Sequence, residues 1–149
     1  IPDLVNVNDY FKSRHYYQPY DTPYLFAQPE KVLVIGSSEG RNVLSALSKG
    51  VKEIWALDIN EDLFEIFKQP LGEIGKMIYY RPEVKIVVAE GRHFIEKCPT
   101  QFDLITFQGV QTGSSPSSMQ TPTSIETFLL TREALAATWK CLTPKGMIM

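Results

Sequence analysis

The sequence has no long apolar run, no dense charge of either sign, two cysteines and two histidines, and each shortage removes a class of protein. Apolar stretches such as Val32–Ile35 and Met147–Met149 fall far short of the roughly 20 residues a membrane-spanning helix needs. Near the start, Asp3, Asn6 and Asn8 interrupt any signal-like apolar segment. The net charge of −2 is spread thinly, and no stretch joins basic to stacking residues. That gives no electrostatic footprint for nucleic acid. Cys98 and Cys141 have neither a C-x-x-C partner nor a nearby His. No metal site or redox motif is indicated, and reduced, packed thiols in segments of helical pattern, in a cytoplasmic setting, are expected.

What remains is ordinary globular material: 149 residues, 44% hydrophobic and 21% charged, enough for one domain with a substantial core. Residues 1–30 stand apart as an aromatic-rich extension. Five of the seven tyrosines (Tyr10, Tyr16, Tyr17, Tyr20 and Tyr24) lie there, and Pro19, Pro23 and Pro29 oppose a long helix. These rings are expected either to pack on the domain edge or to line a pocket, since ring faces hold sulfonium or amine groups. The chain begins at Ile1 and stops soon after Pro144-Lys145-Gly146. The expectation is a fragment or excised domain, cut off as a fifth strand begins.

From Lys31 the pattern is regular. Val32–Ile35 reads as a strand buried on both faces. Val43, Leu44 and Leu47 follow at helical spacing up to Lys49-Gly50. Glu53–Leu57 ending in Asp58, Val84–Val88 and Phe102–Phe107 read as strands two to four, with helices from about Glu61 and around Phe94-Ile95. Residues 108–124 hold five Ser, three Thr, two Gly and two Pro, the makings of a loop. Thr131 suits an N-cap with Leu130 and Leu135 as a staple. A helix over 132–142 and a turn at 144–146 would then lead to strand five. Strict alternation predicts α/β class: a doubly wound, mostly parallel Rossmann-like sheet over residues 31–149. Right-handed crossovers place all strand carboxyl ends on one edge, where ligands bind.

The chemistry-bearing residues fall on that edge. Gly36-Ser37-Ser38-Glu39-Gly40 lets backbone approach a ligand ahead of a helix N-terminus. Asp58-Ile59 ends strand two, and the Asp58 carboxylate can accept from both ribose hydroxyls. Glu90-Gly91 ends strand three, where the acid can meet the adenine amine and the glycine can leave space for the ring. Each acid could instead be an N-cap. Gln108 ends strand four and faces whatever reacts. The turn lacks the G-x-G-x-x-G of dinucleotide sites, and Glu39 would repel phosphates. An adenosyl sulfonium with an amine fits better than NAD. Arg41 could meet the carboxylate of S-adenosylmethionine or be a solvated first-turn residue. His93 could be a base or a surface residue, and His15 has no assigned partner.

The run V-L-V-I-G-S-S-E-G-R-N-V, with I-W-A-L-D-I-N, V-K-I-V-V-A-E-G-R-H-F-I and F-D-L-I-T-F-Q, resembles the spermidine-synthase-like branch of the class I methyltransferase superfamily. The resemblance spans about residues 31–149. The preceding Y-Y-Q-P-Y-D-T-P-Y-L-F-A-Q-P looks most like the version found as the soluble part of bacterial membrane proteins. It implies that Glu39 faces the amine end of the cofactor, Asp58 the ribose and Glu90-Gly91 the adenine. It also implies an aspartate where this chain has Gln108, an amide that can orient an amine but cannot take its proton.

The leading expectation is therefore an S-adenosylmethionine-dependent transferase moving a methyl group to a small-molecule acceptor. Aminopropyl transfer from decarboxylated S-adenosylmethionine is the alternative, with Asp21 or another acid replacing the aspartate. A non-catalytic adenosyl-binding domain of a larger membrane protein is a third reading, and an NAD domain a fourth. A homodimer and membrane-embedded flanking segments are both compatible with the sequence.

Overall fold

The computed structural model describes residues 19–37, 40–68, 75, 77–108 and 128–149. In chain order it has β1 (Lys31–Ile35), α1 (Arg41–Ser48), β2 (Glu53–Asp58), α2 (Glu61–Lys68), β3 (Val84–Val88), α3 (Gly91–Glu96), β4 (Phe102–Phe107), α4 (Arg132–Lys140) and β5 (Leu142–Ile148). The strands form one sheet in the order β3-β2-β1-β4-β5, with every neighbouring pair parallel. The doubly wound α/β fold expected from the alternation is the one adopted. Among the described residues no helix is long and apolar enough to cross a membrane.

The central strand shows why the run had to be apolar throughout. Successive side chains of a strand point to opposite faces. Val32 and Val34 pack with Ile54, Ala56 and Leu104 beneath Val43 of α1 and Phe64 of α2. Leu33 and Ile35 pack on the other face with Trp55, Leu57 and Ile105 beneath Ile95 of α3. Each such fully buried branched side chain contributes about 1.5–3 kcal/mol of transfer free energy. Trp55 sits edge-on to Phe102, with ring centroids 5.5 Å apart, and its indole N–H donates to Glu53 at 2.7 Å.

Two ends of helices match their sequence signals. Gly50 takes φ +76° and its N–H donates to the Leu47 carbonyl at 3.1 Å, stopping α1. The Thr131 hydroxyl accepts from the Ala134 N–H at 3.2 Å and caps α4. The expected Leu130–Leu135 staple leaves those side chains 43% and 42% exposed, so it buries little.

The C-terminal segment departs from expectation. Helix α4 stops at Lys140, not at 142, and β5 starts at Leu142 instead of beyond a turn at 144–146. Phe102 pairs with Leu142 but Leu104 pairs with Met147, so Pro144-Lys145-Gly146 are absorbed as a bulge within the strand. Pro144 has no N–H to donate, and it is tolerated because β5 lies at the edge of the described sheet.

Cys98 and Cys141 are free thiols lying just beyond the ends of α3 and α4, outside the helices proper. The Cys141 thiol contacts the Ile95 carbonyl at 3.4 Å. Burial, with the Cys98 thiol beside it, pushes Cys141 up to about 12.

Candidate functional site

All five strands run the same way, so their carboxyl ends share one edge. The order reverses at β1, whose neighbours are β2 on one side and β4 on the other. A crevice opens outside a parallel sheet where the crossovers diverge in this way.

The glycine turn is fixed from below. The N–H groups of Gly36 (φ +74°) and Ser37 both donate to the Leu57 carbonyl at 2.9 Å. Gly40 (φ +82°) donates to the Ser37 carbonyl at 2.8 Å. A Cβ at position 40 would lie 2.8 Å from Ile78 Cγ2, so a side chain is opposed by both backbone and space. The Tyr79 hydroxyl donates to the Ser37 carbonyl at 3.1 Å, and the Tyr79 ring lies edge-on to Phe64 of α2 at 5.2 Å. Helix α1 begins at once, and its N-cap Gly40 supplies no side-chain acceptor for the first-turn N–H groups. Ser38 and Glu39, on which the amine-end assignment rests, lie outside the described residues, as does His15.

The two acids differ. Asp58 is 8% exposed at the tip of β2, and its Oδ1 accepts from the Asn60 N–H at 3.0 Å. Beside it Ile59 is 70% exposed, an apolar face turned outward next to a buried carboxylate. Glu90 takes the capping alternative: its two oxygens accept from the Arg92 and His93 N–H groups at 2.9 and 2.7 Å. A carboxylate has about four acceptor positions, so two bonds leave capacity for a further donor. The space beside Gly91 is not open. A Cβ there would lie 2.9 Å from Ile35 and 3.0 Å from Leu129, so this glycine serves the close seating of α3 on β1 rather than room for a ring.

A cavity of about 300 Å³ opens at the β1–β4 side, lined by Tyr20, Asn42, Thr106, Phe107, Gln108 and Met149 among others. The Gln108 N–H donates to the Ile35 carbonyl at 2.8 Å, which fixes its backbone against β1. Among the described residues, three buried side-chain oxygens at this edge have no hydrogen-bond partner: Ser37 Oγ, Thr106 Oγ1 and Gln108 Oε1. Buried polar atoms are almost always paired, so such a group marks a place where a ligand or water is expected.

Asn42 and Thr106 are cavity residues that sequence reading missed. The signal for Thr106 was present: it is the polar member of the otherwise apolar run Leu104-Ile105-Thr106-Phe107, two residues before Gln108. Of the N-terminal rings, Tyr20 lines this cavity, while Tyr24 packs against the core. Burial, and then the Asp21 charge, push the Tyr24 phenol well above its ordinary range. Asp21 itself accepts from the Ser45 hydroxyl of α1 and is not among the residues lining the cavity. Arg41 and His93 are exposed, and residues 109–127 lie outside the described residues.

Against known proteins, the family model described as the spermine/spermidine synthase domain matches residues 20–149. Polyamine aminopropyltransferase 2 of Hyperthermus butylicus is 29% identical over 137 residues, covering 90% of this chain and 42% of that protein. The chain thus spans less than half the length of this curated relative. The spermidine synthase structure from Thermotoga maritima superposes with a TM-score of 0.63 at 21% identity, over 84% of this chain and 38% of that one. Human methyltransferase-like protein 13, solved with SAH, gives 0.59 at 20% identity, over 87% of this chain and 56% of the other. At such identities the structural likeness shows the fold.

Proposed function

The chain belongs to the spermine/spermidine synthase domain family, and from that premise we propose that its sheet edge serves aminopropyl transfer from decarboxylated S-adenosylmethionine. This replaces methyl transfer as the preferred reading, because the curated relative of Hyperthermus butylicus is named a polyamine aminopropyltransferase. The observation that carries it is the pairing, at one switch point, of a buried acid beside an exposed apolar side chain with a cavity holding unpartnered oxygens.

The residues fit an adenosyl group. Asp58 would accept from the ribose hydroxyls, Ile59 would cover one face of adenine, and the spare capacity of the Glu90 carboxylate would meet its amine. Gly36, Ser37 and Gly40 would shape the approach, with Gly91 contributing only by letting α3 sit close to β1; Ser37 has a buried hydroxyl without a partner among the described residues. Ser38 and Glu39 complete the turn in this reading, with residues 31–149 as the cofactor-binding unit and residues 1–30 as its extension. Bound there, decarboxylated S-adenosylmethionine would supply an aminopropyl carbon activated by its sulfonium. Thr106 and Gln108 would hold the acceptor at the β4 tip and orient its attack, a task that rests on positioning. S-adenosylmethionine remains the second cofactor reading, in which Arg41 would meet its carboxylate.

The test is product analysis. The full protein is incubated with S-adenosylmethionine or its decarboxylated form and a mixture of amine, alkoxyamine and alcohol acceptors. Release of methylthioadenosine from the decarboxylated form is expected. S-adenosylhomocysteine with a methylated acceptor would overturn the preference.

A further inference from the structure

We infer that the β1–β4 cavity is built for an acceptor whose reacting nitrogen is uncharged, and that Gln108 sets this selectivity. The inference rests on the aminopropyl-transfer reading for what reacts, though not for what the cavity binds. No Asp, Glu, Lys, Arg or His is among the described residues lining the cavity, and Tyr20 is its one titratable side chain. Its polar lining is neutral, from Tyr20, Asn42, Thr106 and Gln108, and of these the Thr106 hydroxyl, on a residue 6% exposed, and the Gln108 amide oxygen have no partner among the described residues. Thr106 lies in β4 and Gln108 directly follows its last residue, Phe107.

The nearby acid does not supply the missing charge. Asp21 is buried against Ser45 and Tyr24, beside Tyr20 rather than on the cavity wall.

An ammonium entering this cavity would lose its water and find, among the described lining residues, neutral oxygens but no counter-charge. Desolvation disfavours the charged form of an amine in such surroundings. A neutral nitrogen loses far less, and its N–H groups suit the two accepting oxygens that have no partner among the described residues. The apolar remainder of the wall, from Phe107 and Met149, suits an apolar body attached to that nitrogen.

The chemistry then needs no carboxylate at the β4 tip. The nitrogen lone pair forms the new N–C bond as the C–S bond breaks with its electron pair left on sulfur. Methylthioadenosine departs uncharged, and the alkylated nitrogen releases its proton to water. Gln108 acts by fixing the nitrogen and by withholding the negative charge that would favour a cation.

A matched pair of probes separates charge from shape. n-Butoxyamine and n-pentylamine have the same length, but near neutral pH the first is uncharged and the second is a cation. Calorimetric titration of the full protein at pH 7.5 is expected to show the alkoxyamine binding at least tenfold more tightly. In Gln108→Asp the order is expected to reverse, which a loss of packing alone would not produce. Equal or tighter binding of n-pentylamine to the unaltered protein, or binding of neither probe, overturns the inference. Titration with methylthioadenosine is run alongside. Its failure to bind would count against the adenosyl reading of the β2–β3 side, while the probe comparison would still decide the cavity.

Discussion

The two sides of the switch point solve opposite problems. On the β2–β3 side the polar groups are charged and already engaged: Asp58 holds the Asn60 N–H, and Glu90 holds two N–H groups of α3. On the β1–β4 side the described lining side chains are neutral, and two of their oxygens, at Thr106 and Gln108, have no partner among the described residues. Backbone donors fix the acids before any ligand arrives, so their positions are set by folding. The neutral oxygens carry the cost of burial without return until something fills the cavity. The first side reads as a preformed cradle and the second as a site completed by its occupant.

The largest effect should fall on the cradle. Replacing Asp58 by Ala removes a buried charged acceptor, where each hydrogen bond to a charged group is worth about 1.5–3 kcal/mol. Methylthioadenosine affinity, measured by calorimetry, is expected to fall on the order of a hundredfold. An unchanged affinity would break the division of labour. Glu90→Ala should act on stability first, because the side chain caps α3. A loss of about 1 kcal/mol in urea unfolding is expected, and a fully neutral result would mean that the cap is not made. Thr106→Val should give the smallest effect and the opposite sign. Exchanging a buried unpartnered hydroxyl for a methyl is expected to raise stability by up to about 1 kcal/mol, while acceptor affinity declines. Destabilisation there would show that the hydroxyl is satisfied in solution and would erase the contrast.

Much of this was legible in the residues. The continuous apolar runs at Val32–Ile35 and Ile54–Leu57 could only suit strands buried on both faces, and they occupy the sheet centre. Strands are short and bounded by glycine and acid, so their ends were readable too. What failed was local accommodation. Pro144-Lys145-Gly146 has the composition of a turn, yet pairing with β4 resumes beyond it and draws it into a bulged strand. Gly91 looked like space for a ligand, but sequence shows only that a side chain is missing, not which neighbours take the room. The Ile35 and Leu129 side chains do. Glu90 was legible in both its roles, and only coordinates show the capping bonds. Thr106 was visible as a polar break in β4; that it has no partner is a property of three dimensions.

The Tyr79 hydroxyl bond to the Ser37 carbonyl links the glycine turn to a distant stretch of chain. Its ring is held between Phe64 and Phe67 of α2, with centroids 5.2 and 5.1 Å away. The aromatic packing around α2 thus restrains the carbonyl onto which Gly40 folds back. Whatever settles against Ser37 need not quench the motion of that carbonyl, because the entropy was lost when the chain folded. Affinity at the turn accordingly depends in part on how well two phenyl rings far along the sequence grip a tyrosine.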